Sequence, residues 1–170
     1  DHLPVYTWGP HARRAFQLLA QGYSLATTMH ADSVGEVAHI LEEDLGVPRE
    51  QIGNLTFIVH LHIGYQASTV RRVDEVALLR PHGRDGLTAR TLAHWNPDDD
   101  SFSLFLSAAD HKEFARWAGL SPAALAAELK RREGFLADLL ASEQTAIPAV
   151  NQAIEAYYRE VIAASRQAGR

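Results

Sequence analysis

The 170-residue chain contains no cysteine, which excludes disulfides, thiolate nucleophiles and four-cysteine zinc sites. It has no apolar run near the ~18 residues that read as a membrane span, and it does not open on a signal-peptide pattern. The expectation is a cytoplasmic protein that does not insert into a membrane and meets one only through a partner, at its periphery. Positive charge is not in excess. Lys and Arg number 16 against 21 Asp and Glu, and the net charge of −5 argues against nucleic acid as the main partner. No Gly-x-x-x-x-Gly-Lys-Ser/Thr run is present, so the backbone cradle and lysine that hold nucleotide phosphates are missing from these residues. No internal repeat is visible. Hydrophobic residues make up 46%, enough at this length for a real core.

The most informative stretch runs from Gly22 to Ser33. The short apolar run Leu25–Thr28 reads as a buried strand. It ends in a polar corner, Met29-His30-Ala31-Asp32. Ser33 then reads as the N-cap of a helix with Val34, Val37, Ala38 and Leu41 on its apolar face. Side chains at the carboxyl end of a strand face the crevice where α/β proteins bind ligands. A helix N-terminus beside them favours anions. His30 is the candidate functional group there. The plainer alternative is a histidine that satisfies a loop.

Around this stretch the pattern alternates between helix and strand. Leu3–Trp8 reads as a strand, broken by Gly9-Pro10. Helical spacing predicts a helix from about His11 to Gln21, stopped by Gly22. The helix from Val34 stops at Gly46. Leu55–Ile63 and Thr69–Leu79 read as a strand pair. Leu87–Trp95 and Ser101–Leu106 read as a hairpin turning at Pro97–Asp100. The remainder is helical: His111–Trp117 with Asp110 as N-cap, a helix opened by Ser121-Pro122, and a last one from Ile147-Pro148. His60 and His62, two apart on a strand, share a face and could share a metal. No third ligand is suggested by spacing, so solvated imidazoles are the reading and no metal site is expected. Lys130-Arg131-Arg132 reads as a solvated face, with a subunit contact as the alternative.

Four stretches resemble parts of the secretion ATPase superfamily, the motors of type II and type IV secretion, type IV and tight-adherence pili, and the archaellum. Gly22, Thr28, His30, Ala31, Asp32 and Ser33 resemble its histidine box. Arg71, Arg72, Val73, Glu75 and Val76 resemble the second strand of its closing hairpin. Trp95-Asn96-Pro97, followed by Asp99 or Asp100 and by Phe102, is similar to its β-insertion. Leu125, Glu128, Leu129, Arg131, Arg132, Phe135, Leu136, Tyr157 and Tyr158 follow its helical tail, so the likeness runs from about Val5 to Tyr158.

The resemblance implies an α/β fold: residues 1–109 as the C-terminal part of a RecA-like P-loop NTPase core with a β-hairpin insertion, and 110–170 as a helical C-terminal subdomain. It implies His30 as the catalytic residue, near the γ-phosphate, with Thr28, Asp32, Arg71 and Arg72 in nucleotide binding. Arg71 and Arg72 point to opposite sides of a strand, so at most one faces a phosphate. It further implies a cytoplasmic hexameric ring on inner-membrane secretion or pilus platform proteins. ATP and Mg²⁺ are expected in the full-length protein and neither in this chain alone. The register Gly9-Pro10-x-Ala12 matches the family's Walker B region, but Tyr6 stands at its glutamate position and Trp8 at its arginine position. The missing P-loop is expected upstream, some ~80 to 100 residues before Asp1, a spacing compatible with one domain. The alternative is a degenerate relative that serves as a non-enzymatic ring or partner-binding module.

Overall fold

A computed structural model describes residues 8–65, 69–82 and 86–168. The chain forms two compact units, Asp1–Leu106 and Ser107–Arg170. It is a mixed α/β protein.

In the first unit, α1 spans Pro10–Ala20, with proline in the first turn where its missing N–H costs nothing. Gly22, at φ 93°, ends it as a left-handed residue that few side chains tolerate. Ser33 caps α2 (Val34–His39), its Oγ accepting from the Glu36 N–H at 3.1 Å. The chain continues through a π-helical turn, Ile40–Asp44, and then α3 (Arg49–Ile52). Gly46, at φ 63°, makes the turn between them. Ala12, Phe16, Val37, Leu41, Leu45, Val47 and Ile52 bury together as the core of this helical layer. Leu55, Ile58 and Leu87 pack on it from the sheet side.

The sheet comprises β1 (Phe57–Tyr65), β2 (Thr69–His82), β3 (Gly86–Asn96) and β4 (Ser101–Leu104), in the order β1-β2-β3-β4, antiparallel throughout. Asp74 is an extra residue on β2 opposite β1, and Leu92 an extra residue on β3 opposite β2. Such bulges bend a strand and increase its twist. Ala77, Leu78 and Leu79 are consecutive and all buried, so β2 is covered on both faces at that end.

The structure departs from expectation in three places. Residues 23–31 form no strand, and apart from half-buried Leu25 and Ala31 they are exposed. A strand persists only when a neighbour pairs its backbone, and no described strand lies beside this one. Second, the expected Leu3–Trp8 strand falls on residues outside the described ones except Trp8, which is not in a strand. Third, the pair expected to be a separate hairpin insertion, β3 and β4, continues the β1-β2 sheet.

The second unit is helical: α4 (Ala108–Trp117), α5 (Pro122–Ala141) and α6 (Ile147–Ala168). The N-cap of α4 is Ser107 rather than Asp110. Ser107 Oγ accepts from the Asp110 N–H at 3.2 Å while the Asp110 carboxylate accepts from the Ser107 N–H at 2.7 Å. This reciprocal box satisfies two orphan donors of the first turn, which explains why Asp110 is buried. Tyr157 of α6 stacks on Phe135 of α5 at 4.9 Å and donates to Glu128 at 3.2 Å.

Candidate functional site

His30 lies on the exposed loop between α1 and α2. Leu25 and Ala31 anchor that loop on the helical core. Thr28, Met29 and Asp32 are exposed beside it. At the start of α2 two backbone donors are already bonded to side chains. The Asp32 N–H gives to the Glu36 carboxylate, and the Glu36 N–H gives to Ser33. The negative group drawn to this helix end is thus the protein's own Glu36, a role foreshadowed by the Ser-x-x-Glu spacing.

Arg71 and Arg72 lie elsewhere in the unit. Arg72 pairs with His62, four residues along β1 from Ile58, which touches the helical core. Four residues of strand span about 13 Å, so the arginines occupy the end of the sheet away from the helical layer. Arg71 is exposed. Arg72 makes a two-pronged ion pair with Asp100 in the β3–β4 turn, Nε to Oδ1 at 2.7 Å and Nη2 to Oδ2 at 2.6 Å. Trp95 Nε1 donates to the same Oδ1 at 2.8 Å. These bonds, Arg72 first, hold the Asp100 carboxyl at about 2, well below its usual range. The pair also restrains Asp100 at φ 53°, a left-handed conformation that aspartate tolerates better than most. Arg72 therefore clamps the turn to β2. The sequence signal for the clamp was Trp-Asn-Pro-Asp-Asp-Asp, which announces a turn but not its partner.

His60 and His62 have different partners in this sheet. His60 Nδ1 lies 2.9 Å from Asp74, the extra residue on β2, while the His62 ring packs at 5.4 Å from Trp95. Among the described residues no group of three or more metal-ligating side chains converges. A shallow depression of about 770 Å³ is lined by Glu75, Ala89, Arg90, Thr91, His94 and Phe105, with Thr91 Oγ1 donating to Glu75 at 2.6 Å. None of the five expected site residues lines it.

In the second unit, the run expected to be solvated is partly structural. Arg131 and Arg132 both bond Glu128, and the Arg131 guanidinium lies 4.7 Å from the Tyr157 ring centre. Hydrogen bonds from Arg131 and then Arg132 hold the Glu128 carboxyl at about 2. No described helix is long and apolar enough to cross a membrane.

No family model matches the chain. It is similar to the uncharacterized protein MJ1287 of Methanocaldococcus jannaschii, 26% identical over 135 residues, which cover 77% of this chain and 50% of that protein. The chain thus spans about half the length of the curated relative it matches.

Proposed function

We propose that this chain is the C-terminal portion of a secretion or pilus motor ATPase with a RecA-like core, acting in a homo-oligomeric ring in the cytoplasm at an inner-membrane platform. The reading rests on the sequence order of the histidine box, the Arg-Arg-Val-x-Glu-Val strand and the Trp-Asn-Pro turn. The observation that supports it best is the setting of His30, an exposed imidazole on a loop fastened at both ends to the core. An imidazole N–H held on such a loop can meet a phosphate presented from outside.

The residues present do not by themselves fit ATP and Mg²⁺. No lysine-bearing phosphate loop occurs in the sequence. Arg72 is committed to Asp100, and the Asp32 and Glu36 N–H groups at the α2 end are bonded to Glu36 and Ser33. A complete nucleotide site would need groups from outside these 170 residues, so within this chain His30 is the group proposed to act, with Thr28 and Asp32 beside it. The commitment of Arg72, together with Tyr6 at the glutamate position, favours a second reading, a ring or partner-binding module without turnover.

The two readings separate in one experiment. The isolated chain is expected to show no ATP hydrolysis above buffer. In a polypeptide joining it to a P-loop-bearing amino-terminal half, His30→Ala should lower kcat by about 10²-fold, the scale of losing one preorganised transition-state donor, with the circular dichroism spectrum unchanged. Equal turnover in the two proteins would reject the role of His30. No turnover in either would favour the non-enzymatic module.

A further inference from the structure

The helical unit presents an apolar face that its own packing leaves open. On α5, Leu129, Leu136 and Leu140 are exposed, and on α6, Ile147, Ile154, Tyr158 and Ile162. Exposures run from 38% at Ile154 to 77% at Ile147. Tyr157 meets Glu128, Arg131 and Phe135, about as far after the 142–146 turn as those residues lie before it, so α5 and α6 run antiparallel. At about 100° per residue, the exposed leucines turn roughly 100° from the line of α5 that faces Tyr157. The exposed α6 row turns by about the same angle and in the same sense from Tyr157 itself. In an antiparallel pair of right-handed helices, equal turns bring both rows to one side. The seven side chains therefore lie on one side of the helix pair.

We infer that this face docks a second copy of the chain, through an interface in which the α5 row of each copy packs on the α6 row of the other. Two observations favour a second copy. The rows repeat the same interval, seven residues and then four (Leu129, Leu136, Leu140 and Ile147, Ile154, Tyr158), the spacing that lets knobs on one helix enter holes on another. Their combined exposed area is on the order of 700 Å², above the roughly 300–600 Å² of the largest patch on an ordinary monomer. It approaches the roughly 800 Å² per partner of a stable interface. A two-fold operation places each row on its complement, as an isologous dimer requires.

The test uses the whole chain, whose lack of cysteine makes any introduced thiol unique. Sedimentation from ~1 µM to ~1 mM, a span covering affinities of about −4 to −8 kcal/mol, should show a monomer–dimer equilibrium. Leu136→Lys with Ile154→Lys should raise its dissociation constant at least tenfold while helicity is retained. Should that double variant unfold, a spin label on exposed Ala126→Cys at the edge of the leucine row supplies the second readout. It should give an inter-chain dipolar signal that dilution with unlabelled chain removes. A monomer across the whole range would overturn the inference and indicate that another part of the protein, or a different partner, covers the face. So would a dimer unaffected by the lysines, or one lacking the dipolar signal.

Discussion

The two units are held together by different means. In the first, 13 large or small apolar side chains among the described residues are buried, from Ala12 through Trp95. In the second, only Ala115 and Leu125 are, and the cross-helix contacts converge on Glu128, Arg131, Phe135 and Tyr157. A unit built on apolar burial resists acid and salt, since its main term carries no charge. One that depends on a carboxylate bonded by two arginines and a phenol responds to both. Few buried contacts and much exposed surface also mark segments that open at low free-energy cost or await a partner.

The largest expected effect breaks the first unit alone. Ile52 is 0% exposed, and Ile52→Ala should cost about 2–5 kcal/mol, whereas Leu125→Ala, at the margin of a thin core, should fall at or below the low end of that range. Urea unfolding followed at Trp95 and at Trp117, with Trp8→Phe to simplify the signal, reads the two units separately. Equal shifts at both tryptophans for both variants would erase the distinction.

Acid should sharpen it. Glu128 ordinarily titrates near 4.5 and in the folded chain at about 2. Between those values the unfolded chain binds more protons, so this contribution is full above about 4.5 and disappears as pH falls toward 2. Asp100 behaves alike between 3.8 and about 2, through Arg72 and Trp95, but acts on one turn of a sheet that has its own core. On acidification the α5–α6 contact should loosen before the sheet does. Far-ultraviolet circular dichroism alongside Trp95 fluorescence would detect the order. Glu128→Gln should remove most of the acid response of the helical unit.

The smallest effect on stability is expected at His30. An exposed loop residue carries little packing energy, so His30→Ala should change the unfolding free energy by no more than about 0.5 kcal/mol. A larger loss would make the residue structural and undo the assignment of the loop.

Local chemistry was legible without coordinates. Pro10 and Gly22 bracket α1, Ser33 and Ser121 cap their helices, and β-branched runs became β1 and β2. Each of these depends on residues a few positions apart, whose preferences act before any tertiary contact forms. The exposure of His30 was likewise foreseeable, because a Met-His-Ala-Asp corner between apolar segments has few ways to be buried. Leu25–Thr28 reads as a strand in the sequence but is loop in the fold, because pairing depends on a neighbour that composition does not reveal.

What the sequence by itself determined, then, is the ends of α1, the caps of α2 and α5, the runs that became the four strands, the turn at Pro97–Asp100 and the polar corner that carries His30. Only the tertiary structure decided that four strands join in one antiparallel sheet and that Arg72 is spent on Asp100. The physical reason is range. Caps and propensities act over about one helical turn, while Arg72 and Asp100 lie 28 residues apart and meet only because β2 and β3 pair and the turn beyond β3 folds back.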